Sequence, residues 1–114
     1  MKNIVLEKSF SFATRIVKLN QHLKLEKKEY DISRQLLRSG TSIGANVAEA
    51  QQAQSRADFL SKINIALKEA QETDYWLRLL HSTNYLNDKE YESIISDCRE
   101  IKNILIAIVK TTKK

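Results

Sequence analysis

Residues 38–50 read Arg38-Ser-Gly-Thr-Ser-Ile-Gly-Ala-Asn-Val-Ala-Glu-Ala50. Ile43, Val47 and Ala50 continue an apolar line that begins at Ile32 and Leu36. That near-heptad spacing predicts a helix from about Ile32 to Ala53. Gly40 and Gly44 sit inside it, four residues apart, with Ala48 one turn further on. A glycine in a helix interior costs about 1 kcal/mol relative to alanine, so two of them need a reason. One reason is close approach of a neighbouring helix over a ridge of small residues. The other is a break near Gly40, with Ser42 or Asn46 capping a new helix; Asn46 followed by Glu49 fits a capping box. The unbroken apolar period favours the continuous helix.

Three more segments carry the same rhythm. From about Asn3 to Leu25, Phe12, Ile16, Leu19 and Leu23 line one face, and Leu6, Phe10, Ala13 and Val17 form a second line beside it. Two such lines predict a wide buried stripe. The charged stretch Glu26 to Asp31 reads as a loop, with Asp31 or Ser33 capping the next helix. A third helix opens at Ser55, where Ser55 and Asp58 form a variant capping box, and runs to about Ser82 along Phe59, Ile63, Ala66, Ala70, Thr73, Leu77 and Leu80. A fourth begins after Asn87, with Glu90 at its third position, and follows Tyr91, Ile94, Cys98, Ile101, Leu105 and Ile108. The linkers come to about six, two and five residues, and short linkers between long helices make neighbours antiparallel. The expected fold is all-α: an antiparallel up-down-up-down four-helix bundle occupying residues 1–114 as a single domain.

Composition agrees. The 114 residues include two glycines and no proline, against roughly 14 at average usage, which speaks against sandwiches and barrels. Hydrophobic residues make up 42% and charged residues 29%, a globular balance. No stretch reaches the ~18 apolar residues of a membrane span. The first residues lack the apolar core of a signal peptide. One cysteine excludes an internal disulfide. The reading is a cytoplasmic protein with a reduced thiol and no membrane partner.

Catalytic signals are thin. Di-iron bundles use Glu-x-x-His pairs, but the residues three before His22 and His81 are Leu19 and Arg78. Glu69 and Glu72 share a face with no histidine, so no metal and no cofactor is expected. Arg78 and His81 lie on one side of a helix, and a bundle ribonuclease would pair an Arg with a His. The spacing is shorter than that signature requires, and His81 near a helix end serves the dipole equally well. Cys98 falls on an apolar seam, where cysteine is usually a small hydrophobe. No catalytic residue is assigned.

Charge says more. The net charge is +5. Between Asn3 and Lys28, the basic residues Lys8, Arg15, Lys18, Lys24, Lys27 and Lys28 face only Glu7 and Glu26, a net of +4. Lys2 and the Lys113–Lys114 tail add to it, because in an up-down bundle the end of the fourth helix lies near the start of the first. Such a stripe can track phosphates without reading sequence; a solubilising face is the plainer alternative.

The pattern Ser42, Ile43, Asn46, Val47, Ala48, Glu49, with Asp58-Phe59, Ala66 and the Glu-rich stretch before Trp76, resembles the bacterial family of ribosomal RNA intervening-sequence proteins over nearly the whole chain. The family often carries Gly-x-Gly-Arg after the motif's Glu, where this chain has Ala50 to Gln54, then Ser55 and Arg56. The resemblance implies a continuous second helix. It extends to accessory proteins of diversity-generating retroelements, and so implies a homopentameric ring that binds RNA or DNA and a reverse transcriptase or other protein. Asn46 and Glu49 share a face, and a buried Glu49 would need Arg38 or Arg56 as partner. Arg38, Ser42, Asn46, Glu49 and Arg56 are therefore read as a structural or subunit-contact cluster, with Trp76 as an interface anchor. The function expected is a non-enzymatic homo-oligomeric scaffold that binds nucleic acid through the first helix. A protein-binding adaptor without nucleic-acid affinity is the rival, and a ribonuclease the remoter one.

Overall fold

The computed structural model describes residues 3–113; Lys2 and Lys114, counted above toward the basic excess, lie outside them. Four helices follow one another: α1 (Ile4–Leu25), α2 (Asp31–Ala50), α3 (Arg56–Ser82) and α4 (Asp88–Lys113). Cross-helix contacts fix their directions. Asn20 donates to the Ser33 carbonyl near one end of α1 and α2, and Gly44 lies against Ser9 near the other. Lys62 pairs with Glu49 while Thr73 meets Ser39, so α3 runs back along α2. Arg56 reaches the Thr112 carbonyl while Ala70 meets Cys98, so α4 runs back along α3. Arg15 pairs with Asp97 and Lys8 with Glu100, which closes the ring with α1 and α4 antiparallel. The result is an up-down-up-down bundle of 44 × 23 × 20 Å. Of the four neighbouring pairs, α1 and α4 touch least.

The core is the set of residues that the helical period picks out. Phe12, Ile16 and Leu23 of α1, Leu36, Ile43 and Val47 of α2, Ile63, Ala66, Ala70 and Leu77 of α3, and Cys98, Ile101 and Leu105 of α4 form one core. Of the second line of α1, Leu6 packs against this core but Phe10 and Val17 do not. Phe10 is 73% and Val17 40% exposed, while Leu6 and Ala13 are half-buried. The expected wide stripe is therefore a narrow one. The reason lies on α2, whose glycines draw its backbone onto the Ser9–Ile16–Asn20 side of α1, so that Phe10 and Val17 fall outside the seam.

Gly40 and Gly44 lie within one unbroken α2, so the break near Gly40 does not occur. A β-carbon on Gly40 would stand 2.8 Å from Cγ1 and Cγ2 of Ile16; one on Gly44 would stand 3.2 Å from the Ser9 carbonyl oxygen. Close approach of α1 is what the two glycines permit.

The helix ends correct some sequence expectations and meet others. Neither Asp31 nor Ser33 caps α2. The carboxylate of Glu29 does, accepting the N–H groups of Asp31, Ile32 and Ser33 at 3.1, 3.0 and 2.6 Å. Lys28 makes this possible by adopting a left-handed conformation, φ +57°, which turns Glu29 back over the helix start. The α2 helix stops at Ala50, three residues before the expected end. There the N–H groups of Gln51, Gln52 and Ala53 bond to carbonyls three residues back rather than four, a tightening that ends the helix without glycine or proline. Each linker has five residues. Ser55 caps α3 through the Asp58 N–H, and Asn87 and Glu90 form a reciprocal capping box on α4.

Candidate functional site

The motif of α2 turns its polar groups inward on its own backbone. Ser42 donates to the Arg38 carbonyl at 2.6 Å, and Asn46 donates to the Ser42 carbonyl at 2.9 Å. These bonds satisfy polar side chains on a helix face that packs close to its neighbours. Glu49 is exposed and pairs with Lys62 at 3.1 Å, so it meets neither Arg38 nor Arg56. Arg56 instead caps the end of α4 through the Thr112 carbonyl. The expected single cluster is thus several separate contacts, because Arg38 meets the middle of α3 at Glu69 and Glu72 whereas Arg56 stands at its first residue, about 20 Å away along the helix.

Arg38 joins α2 to α3. Its guanidinium bridges Glu69, at 2.9 Å, and Glu72. Trp76 donates its indole N–H to Glu72 at 3.1 Å. The Trp76 hydrogen bond, and then the one from Arg38, hold the Glu72 carboxyl below its ordinary range. Trp76 itself is half-buried against the core, and the freely exposed aromatic is its neighbour Tyr75, at 49%.

The first-helix stripe divides in two. Lys8 and Arg15 are engaged with Glu100 and Asp97 of α4, Arg15 at 2.6 Å. Lys18, Lys24, Lys27 and Lys28 are exposed, and no carboxylate lies within ion-pair distance of them among the described residues. The last three sit at the end of the bundle opposite Lys113. About 20 helical residues at 1.5 Å each separate the two ends, roughly 30 Å. The C-terminal lysines therefore do not extend this group.

One cluster escaped the sequence reading. Asp74 of α3, only 5% exposed, is met by Arg78 Nε at 2.9 Å, Arg99 Nε at 3.0 Å and Lys102 Nζ at 3.5 Å. Burial pushes its carboxyl up, but the hydrogen bonds from Arg99 and Arg78 and the charge of Lys102 outweigh this and leave it below the ordinary value. Only the Asp74–Arg78 spacing, four residues on a helix, was legible beforehand. Arg78 and His81 do not converge: His81 Nε2 lies 2.7 Å from Asp88 Oδ1, and its ring stacks on Tyr91 at 4.1 Å. Cys98 is buried, with its thiol pushed up to about 12, first by burial and then by Asp74. It is a core residue with no thiolate at neutral pH.

This is a helical-bundle protein whose signature motif bonds to its own helix backbone and packs against α1. The chain belongs to the 23S rRNA-intervening sequence protein family, which matches residues 1–107. A crystal structure of a protein of unknown function from the S23 ribosomal protein family of Bacteroides thetaiotaomicron VPI-5482 is similar to it, at 59% identity and a TM-score of 0.92. That similarity covers 93% of this chain and 98% of the other. No curated protein matches the chain.

Proposed function

We propose that the protein is a non-enzymatic, self-associating bundle that binds nucleic acid through the end of α1 and the turn after it, in the cytoplasm. The observation that carries this reading is the group Lys18, Lys24, Lys27 and Lys28, exposed and without carboxylate partners among the described residues, on a chain of net charge +5. Cations without internal partners are available to displace counterions from a phosphate backbone. Lys8 and Arg15, already paired with α4, contribute less than their place in the sequence implies. Self-association draws on Phe10 and Val17, two apolar side chains on the outer side of α1. The resemblance to retroelement accessory proteins supports a five-membered ring as the assembly.

The test is affinity for a labelled structured RNA and for a DNA duplex across a salt series. Four phosphate contacts give a slope of log affinity against log salt of about −3.6 on duplex DNA. Replacing the four lysines by glutamine removes most of that slope. If the wild-type chain binds neither nucleic acid at low salt, the adaptor reading replaces this one. Light scattering on wild type and on the Phe10→Glu, Val17→Glu double variant tests the assembly, which the variant is expected to dissociate; a wild type that is monomeric at micromolar concentration removes it.

A further inference from the structure

The cluster around Asp74 has more charge than the fold needs. Three cations share one carboxylate, so two positive charges remain at a surface where Arg78 is 56% and Arg99 50% exposed. The carboxylates on the other side of α4 do not offset them: Asp97 and Glu100 are turned to Arg15 and Lys8 of α1. Glu92 lies two helical turns before Arg99 on the same face of α4 and, among the described residues, forms no ion pair. Each arginine gives Asp74 only its Nε, and the buried carboxylate takes one on each oxygen. Among the described residues no hydrogen bond occupies Nη1 or Nη2 of Arg78, while the Arg99 guanidinium has the Tyr91 side chain as a further polar neighbour. Two half-exposed guanidinium groups are thus tied to the two oxygens of one carboxylate, and a guanidinium can grip a tetrahedral oxyanion through paired N–H bonds. The Arg78 guanidinium lies over the ring of half-exposed Tyr75, 5.8 Å from its centroid. An anion-binding group beside a half-exposed aromatic ring suits the phosphate and base of single-stranded nucleic acid, one nucleotide at a time.

We propose that Arg78 and Arg99, set by Asp74, form a phosphate-binding fork on the α3–α4 face that takes a nucleotide unit of single-stranded nucleic acid, its base against Tyr75. The fork rests on the reading of a nucleic-acid partner but not on the α1 lysines. It is a second contact surface across the bundle from them. Asp74 acts here as a positioning residue.

The experiment is binding of a labelled ten-nucleotide single-stranded RNA to the full chain at low salt, with thermal melts confirming that every variant is folded. The Arg78→Lys, Arg99→Lys variant keeps all the charge and loses the paired donors; it is expected to bind roughly tenfold more weakly. Arg78→Gln, Arg99→Gln is expected to lower the salt slope by about 1.4, the contribution of two phosphates on a single strand. Asp74→Asn adds a positive charge, so affinity set by charge alone would rise, whereas a fork that needs its carboxylate binds less. Tyr75→Leu is expected to weaken RNA several-fold and leave competition by inorganic phosphate unchanged. Equal affinity for the wild type and the lysine variant overturns the fork, and so does tighter binding by Asp74→Asn. If glutamine at the four α1 lysines abolishes binding while the fork variants do not, the fork fails and the α1 reading stands. The reverse result keeps the fork and removes the α1 reading. A wild type that binds no RNA overturns both.

Discussion

Gly40 of α2 presses on Ile16 of α1: a β-carbon on the glycine would lie 2.8 Å from both γ-carbons of the isoleucine. No carbon pair tolerates that separation, and the atoms met are the inner branch of a stiff side chain rather than a movable tip. Gly40→Ala gains about 1 kcal/mol of helix propensity and loses roughly 1–3 kcal/mol to overpacking. A net loss in urea denaturation is expected. In an Ile16→Ala background, where both γ-carbons are gone, the same change becomes neutral or favourable. A double-mutant cycle showing no coupling between the two sites would contradict the close approach.

Glu29 caps a helix from one residue outside the usual position. Removing its carboxylate in Glu29→Ala leaves three N–H groups at the start of α2 without their acceptor. The expected loss is about 1–2 kcal/mol, the range of a strong cap. Asp31→Ala, which sequence reading would have chosen as the cap, is expected to change stability little. Equal losses from the two would show that Glu29 has no special role.

Asp74 couples the stability of the bundle to pH. Its carboxyl is lowered in the folded chain, so it stabilises the fold above the ordinary Asp value near pH 4. That stabilisation is lost as pH falls through the lowered folded value. Glu72, also lowered, adds to the same acid branch more weakly because it is partly exposed. Asp74→Asn is expected to be less stable by about 2 kcal/mol at pH 7 and to show a flatter decline below pH 4. Parallel acid branches for the two proteins, measured by urea midpoints from pH 2.5 to 7, would remove Asp74 as the source.

Cys98 is expected to resist thiol reagents. It is fully buried, and its thiol is pushed up to about 12. A chromogenic disulfide reagent at pH 8 reacts with it only after the bundle opens in denaturant. Fast reaction in the native protein would mean that the α3–α4 seam opens readily.

The periodic apolar residues by themselves determined four helices, their order and their antiparallel run. Burial of one face is a local property of spacing, and short linkers leave neighbours no other arrangement. The capping signals at Ser55, Asn87 and Glu90 were legible for the same reason, since their partners lie three residues away. What the sequence could not determine is which of two adjacent apolar lines faces inward. Phe10 and Phe12 look alike until Gly40 and Gly44 bring α2 against one side of α1 and leave Phe10 in solvent. Nor could it separate Lys8 and Arg15, engaged across the bundle by α4, from Lys18 and Lys24, which have no such partner. Asp74 shows the same limit most clearly: Arg78 is one turn away, but Arg99 and Lys102 reach it only because α4 folds back along α3. Pairing between residues 25 or more positions apart is a property of the tertiary fold, and which charges gain an internal partner is settled there.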